Sequence, residues 1–269
     1  MEHSELSSDS VRLERDAGVA TIVLDDPDRR NALSLDVSTG LMDALSKLEG
    51  TDTRCVVIEG AGKAFCAGGD VELMIEQAAT ESSLDDAVRH VIQQTGRAIQ
   101  RVAACEFPTV AKVDGAAIGA GANLAIACDI QLLSERATIG FGFRQVGLAV
   151  DSGTSYLLPR IVGDNIAREL VFTGELLDAD RAEALGLANH VYPAETFDER
   201  ADELIGTIAE GPTVALRTSK RLLRHNPTTS LAAAIETEAA AQAAALDSDD
   251  HEEGVAAFME RRDPEFRGA

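Results

Sequence analysis

The chain has no tryptophan, only two tyrosines, and no apolar run that approaches the length of a membrane-spanning helix. Such a helix needs about 20 consecutive apolar residues, so we expect no membrane-embedded segment. The first ten residues also lack the basic start and apolar core of a signal peptide. The sequence therefore predicts a soluble cytoplasmic protein that does not bind membranes.

Cysteine and histidine are too few and too scattered for a recognisable metal or disulfide framework. Cys55, Cys66, Cys105 and Cys128 show no Cys-x-x-Cys spacing and have apolar neighbours, so we expect buried free thiols. The histidines include no pair spaced by four residues. The sequence therefore predicts no metal site.

Positive charge is also scarce, since 24 basic residues face 46 acidic ones and the formal net charge is −22. Nucleic acids and anionic membranes would be repelled, which argues against both as partners. Self-repulsion of this size weakens at molar salt, where the screening length falls to about 3 Å. We therefore hypothesise a salt-adapted, halophilic protein. Thermal unfolding against KCl concentration tests this, and no gain in stability at molar salt would contradict it.

The most informative segment is residues 114–129, which follows the apolar, β-branched run at residues 109–113. Gly115, Gly119 and Gly121 are separated almost entirely by alanine and isoleucine, so this turn offers backbone amides rather than reactive side chains. Amides at the start of a helix suit an anion or a developing oxyanion. Tight packing of a helix on a sheet is the alternative interpretation. A dinucleotide fingerprint is excluded because Leu124 occupies the place of its third glycine.

A second glycine-rich turn at residues 61–70 follows the apolar strand predicted at residues 55–59 and precedes another helical pattern. Two strand-turn-helix units would supply two sets of free amides.

These segments, taken together, resemble the enoyl-CoA hydratase/isomerase (crotonase) superfamily. The similarity runs from about Val11 to the C-terminus, and it is carried by Asn31-Ala-Leu-Ser34, Lys63-Ala-Phe-Cys-Ala-Gly-Gly-Asp70, residues 114–125 and Gly147-Leu-Ala-Val-Asp-Ser-Gly-Thr154. The resemblance implies an α/β fold, a spiral of repeated ββα units with a C-terminal α-helical trimerisation region. It also implies a homotrimer or a dimer of trimers.

We accordingly expect a disordered N-terminus at residues 1–10, a ββα spiral core carrying the acyl-CoA site at residues 11–195, and a C-terminal helical region at residues 196–269. The alanine-rich stretch at residues 231–246 has little bulk with which to form a core of its own. Strands are predicted at 11–15, 19–24, 55–59, 109–113, 130–133, 138–141 and 189–192. Helices are predicted at about 36–48, 70–77, 84–103, 152–162, 164–172, 198–208, 213–224, 230–246 and 252–262, besides the short one after the central turn.

The resemblance also implies the site residues. The amides of Ala67 and Ala120 would form an oxyanion hole for the thioester oxygen of an acyl-CoA. No cofactor is expected, because coenzyme A enters as part of the substrate. Residues implied in binding coenzyme A or the substrate are Arg29, Arg30, Ala32, Leu33, Lys63, Phe65, Gly68, Gly69, Asp70, Gly119, Asn123 and Phe143. Phe141 and Met74 are further candidates for the acyl pocket.

The reaction is indicated by a departure from the family pattern. Hydratases of this family use two glutamates, and Asn123 and Phe143 stand at about those positions. Neither can accept a proton, which argues against ordinary water addition. Asp151 is the carboxylate that remains at a suitable position. It could be the catalytic base, or alternatively it could cap the helix that follows. The chain most resembles the branch containing 1,2-epoxyphenylacetyl-CoA isomerase and Δ3,Δ2-enoyl-CoA isomerases, which implies proton shuttling by this single aspartate.

Other functions are weighed against this isomerase. An enoyl-CoA hydratase in fatty-acid or aromatic-acid degradation, such as phenylacetate degradation, would have to recruit Glu72, Glu76 or an activated water. An aspartic protease would need a second copy of Asp151-Ser-Gly-Thr154, and the sequence has none. A non-catalytic acyl-CoA-binding or RNA-binding relative is disfavoured by Asp151 and by the negative charge.

Overall fold

The computed structural model of the chain describes residues 2–3, 6–70 and 84–269. The strands are β1 Glu2–His3, β2 Val11–Asp16, β3 Val19–Leu24, β4 Cys55–Gly60, β5 Ala64–Cys66, β6 Thr109–Val113, β7 Ala116–Ile118, β8 Ile130–Ser134, β9 Thr138–Gly140, β10 Leu176–Asp178 and β11 His190–Tyr192. The helices are α1 Leu35–Ser46, α2 Leu84–Ala103, α3 Ala120–Ala127, α4 Thr154–Val162, α5 Asp164–Thr173, α6 Ala179–Ala184, α7 Phe197–Ala209, α8 Thr213–His225, α9 Leu231–Leu246 and α10 Asp249–Glu260.

The strands form two sheets in the described part of the chain. The larger has the order β1-β2-β3-β4-β6-β8-β11, and the smaller has the order β10-β9-β7-β5. Each of β4, β6 and β8 is followed by a short strand in the smaller sheet, namely β5, β7 and β9. Equivalent strands pair in parallel within both sheets. The repeating unit is therefore two strands in different sheets, which confirms the ββα spiral.

The larger sheet is covered on both faces, and its strands alternate accordingly. In β4, Val56 and Ile58 belong to the main core, whereas Cys55 and Val57 belong to a second cluster on the opposite face. Helix α7 closes that second cluster with a stripe of buried side chains that includes Phe197 and Ile205. The main core lies between the two sheets and the helices of the spiral.

Residues 1–10 were predicted to be disordered, and the structure describes residues 2–3 and 6–10 of them with defined contacts. Strand β1 pairs antiparallel with β2, and Ser7 and Ser8 contact α1. The amide of Ser7 donates to Asp43 (2.8 Å), and the Ser8 hydroxyl donates to Asp36 (2.8 Å). Carboxylates on α1 therefore hold this segment, a long-range contact that its polar composition does not reveal.

Most predicted elements are confirmed, and Ser34 caps α1 by accepting from the amide of Val37 (3.1 Å). The sequence did not predict β5, β7, β10 or α6. Strands of three residues are too short for a period of two to stand out, and glycine flanks β5 and β7. The helix predicted at 70–77 falls almost entirely on residues outside the described part of the chain, as does Met74.

The C-terminal helices α8, α9 and α10 follow the spiral. Of α9, only Ala234 and Ala241 are buried, in keeping with the prediction that this helix forms little core of its own. Its described neighbours also leave large apolar side chains exposed, notably Leu223, Phe258 and Met259. No helix among the described residues is long and apolar enough to cross a membrane.

Candidate active site

The first glycine turn is held in place from a distant part of the chain. The Asn31 side chain donates to the carbonyls of Ala61 (2.9 Å) and Ala64 (2.7 Å). The amide of Leu33 donates to the carbonyl of Gly68 (2.7 Å). Asn31 is completely buried and has a left-handed backbone, φ 56°. This segment therefore sets the shape of the turn through hydrogen bonds.

The amide of Ala67 is not free, contrary to what its predicted role in the oxyanion hole requires. It donates to the carbonyl of Arg30 at 3.0 Å. The next two amides, of Gly68 and Gly69, have no acceptor among the described residues. Gly68 is buried, whereas Gly69 keeps part of its surface exposed. The donors that this turn can offer to a ligand are therefore one or two residues beyond Ala67.

The second turn begins α3 at Ala120, after Gly119 with φ 54°. Amides in the first turn of a helix lack intrahelical acceptors, and the amide of Ala120 donates to no acceptor among the described residues. The two turns touch closely. A side chain at Gly121 would place its Cβ 2.2 Å from the carbonyl oxygen of Cys66, and one at Gly68 would lie 2.8 Å from the carbonyl oxygen of Ile118. Glycine at both positions lets the two donor sets converge.

A cavity of about 150 Å³ lies between the turns and the start of α4. Its described lining is mostly apolar and backbone, and Asp151 is the ionisable side chain within it. The lining residues are Ala67, Gly68, Gly69, Ile92, Thr95, Ile118, Gly119, Ala120, Gly142, Phe143, Val146, Leu148, Asp151 and Ser152. The structure thus brings together residues that the sequence placed in three separate motifs.

Asp151 lies just before α4 and does not cap it. Gly153 occupies the cap position, and no side chain makes a capping hydrogen bond there. The Oδ1 atom of Asp151 is buried and has no hydrogen-bond partner among residues 2–3, 6–70 and 84–269. Burial raises the pKa of this carboxyl, and the neighbouring Ser152 hydroxyl opposes the rise. A desolvated carboxylate without a cationic partner is suited to act as a base.

Asn123 is completely buried and positions the backbone of Asp151 rather than facing the cavity. Its Nδ2 donates to the carbonyl of Asp151 (3.1 Å), and its Oδ1 accepts from the Thr154 hydroxyl (2.8 Å). That hydroxyl also contacts the Asp151 carbonyl (2.9 Å). Both polar groups of Asn123 are therefore used, a role that the sequence could not reveal because the partners are 28 and 31 residues away.

Phe143 lies in a 3-10 turn at Gly142–Val146 and lines the cavity beside Gly119. Its ring is 3.9 Å from the place of a Cβ on Gly119. At the position where hydratases of the resembling family carry their second glutamate, this chain therefore has the aromatic ring of Phe143 lining the cavity. Leu33, Phe65 and Phe141, by contrast, are fully buried in the main core and do not line the cavity. Ala32 is buried as well.

The predicted phosphate-binding side chains lie at the surface beside the first turn. Arg29, Arg30 and Lys63 are exposed. Arg29 pairs with the buried Asp70 (3.2 Å), so part of its charge is already balanced. Glu72 and Glu76 lie outside the described residues.

No group of three histidine, cysteine, aspartate or glutamate side chains in the described part of the chain could hold a metal ion. Among these residues the cysteines are unpaired thiols, and burial raises the pKa of Cys55 and of Cys66 to about 12.

Comparison with known proteins gives one family. Residues 14–269 match the model of the enoyl-CoA hydratase/isomerase family. A Thermus thermophilus relative, provisionally named an enoyl-CoA hydratase, is 37% identical over 92% of this chain and 97% of its own length. The 1,2-epoxyphenylacetyl-CoA isomerase of Escherichia coli is 32% identical over 93% of this chain and 95% of its own. The crystal structure of a Mycobacterium smegmatis enoyl-CoA hydratase superposes with a TM-score of 0.88 at 30% identity, covering 96% of this chain and 98% of that one.

Proposed function

Because the chain belongs to the enoyl-CoA hydratase/isomerase family, we propose that it is an acyl-CoA isomerase that moves a double bond through a thioester enolate. One observation carries the proposal. Asp151 is the ionisable side chain that the described residues bring to the cavity between the two sets of free amides. The two positions expected to hold hydratase glutamates carry Asn123, whose polar groups are both occupied, and Phe143.

The enolate oxygen would be held by the amide of Ala120 and by an amide of the first turn. Gly69 is the better donor there, because Ala67 already donates to Arg30 and Gly68 is buried. Removing one donor of an oxyanion hole typically costs about 2.7–4 kcal/mol of transition-state stabilisation. Such donors act on the charge that develops as the α proton leaves, so they favour every reaction that proceeds through the enolate.

Asp151 would act as the single base. Its carboxylate takes the α proton of a 3-enoyl-CoA, the electrons spread over a dienolate, and the resulting carboxylic acid returns the same proton to the γ carbon. The proton is relocated without net consumption, so one acid-base group suffices. Burial favours the uncharged form of Asp151, which makes it a stronger base than an exposed aspartate.

Enoyl-CoA hydration is the second candidate, because hydratase names are common among the relatives. Adding water requires one group to activate the water and a proton source for the α carbon, and general acid-base groups contribute about 10²–10⁴ in rate each. Assaying hydration of crotonyl-CoA beside isomerisation of a 3-enoyl-CoA separates the two activities. Rearrangement of a ring epoxide, the activity named for the Escherichia coli relative, uses the same enolate chemistry and belongs in the same substrate panel.

Replacing Asp151 by Asn tests the mechanism directly. We expect isomerisation to fall at least 100-fold while the dissociation constant for a saturated acyl-CoA stays within about twofold. Because burial disfavours the charged carboxylate, the variant should melt no lower than the wild type at neutral pH. Isomerase turnover, isothermal titration and thermal unfolding give the three readouts. Wild-type turnover by this variant would refute the assignment of Asp151.

We also propose that Arg29, Arg30 and Lys63 attract the phosphates of coenzyme A, since they are exposed cations beside the first turn of an acidic protein. Comparing KM for an acyl-CoA with KM for the matching acyl-pantetheine, which lacks the nucleotide, tests this in the Arg30→Ala variant. Equal losses on both substrates would contradict it.

The proposed assembly is a homotrimer or a dimer of trimers, supported by the apolar side chains left exposed on α8–α10.

A further inference from the structure

The cavity contains a second polar side chain that the proposed chemistry leaves unused. Ser152 lines it next to Asp151, and its hydroxyl oxygen is buried without a hydrogen-bond partner in the part of the chain that the structure describes. The Oδ1 atom of Asp151 is in the same condition. Buried polar groups are nearly always paired in folded proteins, so two unpaired oxygens on consecutive residues call for a functional explanation.

The backbone at Ser152 makes its side chain more unusual. Ser152 has φ +47° and is followed by Gly153 with φ +94°. Glycine would adopt the left-handed conformation at position 152 without strain, and it would also avoid burying a hydroxyl. The chain therefore carries a side chain where glycine would cost less in folding. Strain of this kind is found preferentially at functional sites.

The Ser152 hydroxyl is a neighbour of the Asp151 carboxyl, because the two residues are consecutive and line the same cavity. It also opposes the rise of the Asp151 pKa caused by burial. No charged side chain of the described residues contributes to this pKa. Apart from Asp151 itself, the described residues that line the cavity are uncharged: they include Ile92 and Thr95 of α2, Ile118 through Ala120, and Gly142, Phe143, Val146 and Leu148. Ser152 is thus the polar group best placed to act on the base.

A hydroxyl has a property that a backbone amide lacks. It can donate to a carboxylate and, after rotation, accept from a carboxylic acid. The proposed reaction passes Asp151 through both forms while the proton travels from the α to the γ carbon. A partner that serves both forms keeps the carboxyl in one orientation during the transfer.

We propose that Ser152 is a positioning residue for Asp151: its hydroxyl, which is unpaired among the described residues, turns to bond the carboxyl group in both protonation states when an acyl chain fills the cavity, and holds that group towards the acyl chain. The inference rests on the proposed role of Asp151 as the base and deepens it. It assigns a role to the buried hydroxyl and explains why this strained position is not glycine.

The test compares Ser152→Ala, which removes only the hydroxyl, with Ser152→Gly, which also relieves the backbone. In both variants we expect kcat for 3-enoyl-CoA isomerisation to fall about 3- to 10-fold, the size of one lost hydrogen bond. The dissociation constant of hexanoyl-CoA should remain within about twofold.

Loss of a donor to the charged form raises the pKa of Asp151, so the acidic limb of kcat/KM should move to higher pH. A purely structural role would not move this limb.

The Asp151 carboxyl is also titrated directly by carbon-detected NMR, with its resonance assigned by comparison with Asp151→Asn. Wild-type kcat and an unmoved titration in Ser152→Ala would overturn the inference. So would a defect in Ser152→Ala that Ser152→Gly repairs, because the backbone would then be responsible. If the wild type fails to isomerise any 3-enoyl-CoA, the proposed function fails, while the NMR titration still decides whether Ser152 acts on Asp151.

Discussion

The spiral core and the C-terminal helices differ in how much of their surface is buried within the chain. Around the cavity, helix α3 is buried along its whole length and glycines bring backbone against backbone. In the C-terminal region, α9 buries only two alanines, and Phe258 on α10 is 82% exposed. The residues around the cavity are therefore packed against other parts of the same chain, whereas the C-terminal helices leave apolar side chains exposed that a partner subunit could cover.

Charge separates the same two regions. The described lining of the cavity contains one ionisable side chain, Asp151. Helix α8, in contrast, attaches to the spiral through cations: Lys220 pairs with Asp129 (2.6 Å) and donates to the carbonyl of Phe107 (2.7 Å), and Arg224 donates to the carbonyl of Ala103 (3.2 Å). An apolar lining strengthens the field of a few amides, whereas α8 is attached by ion pairs and hydrogen bonds, of which those of Lys220 are partly buried.

The largest contrast should come from adding one methyl group in each region. Gly121→Ala would place its Cβ 2.2 Å from the Cys66 carbonyl oxygen, and backbone cannot move aside cheaply. We expect a loss of about 3 kcal/mol in the free energy of unfolding, together with lower turnover because the Ala120 amide shifts.

Gly206→Ala in α7 is the matched control. Its Cβ would meet nothing within 4 Å, and alanine in a helix interior is favoured by about 0.5–1 kcal/mol. Urea unfolding of both variants measures the difference. Equal effects would show that the chain is no more tightly packed at Gly121 than at Gly206.

Assembly should depend on the C-terminal helices and not on the spiral. Phe258→Glu is expected to lower the oligomeric state, since a charge would be buried in the proposed interface, while changing the stability of the isolated subunit by less than about 0.5 kcal/mol. Phe172→Glu on α5 is the control, because Phe172 is similarly exposed (72%) outside the C-terminal region. Sedimentation velocity measures both. A wild-type sedimentation profile for Phe258→Glu would contradict the proposed interface.

The smallest and most diffuse effect should be that of salt. With a net charge of −22, screening at molar KCl should raise the melting temperature, and the exposed C-terminal helices should be stabilised more than the residues around the cavity, whose described lining has one ionisable side chain. Melting curves of the wild type from dilute to molar KCl measure the gain. Matched molar sucrose controls for general solute effects, and an equal gain in both solutes would argue against salt adaptation.

Much of the fold was predictable from local patterns. The apolar strand β4, the Ser34 cap of α1 and the glycine turn before α3 each depend on residues close together in the chain. The strands β5, β7 and β10 were missed although β9 in the same sheet was predicted. Three residues show no clear period of two, so pairing with neighbouring strands defines such short elements better than their sequence does.

The sequence by itself determined that the cavity would offer backbone donors and that Asn123 and Phe143 would stand in place of two carboxylates. Only the tertiary structure decided which amides are free and what Asn123 does. The carbonyl that occupies the Ala67 amide belongs to Arg30, and the backbone that Asn123 holds belongs to Asp151. A hydrogen bond between residues so far apart in sequence depends on how the chain folds back on itself, and residue type alone does not specify that.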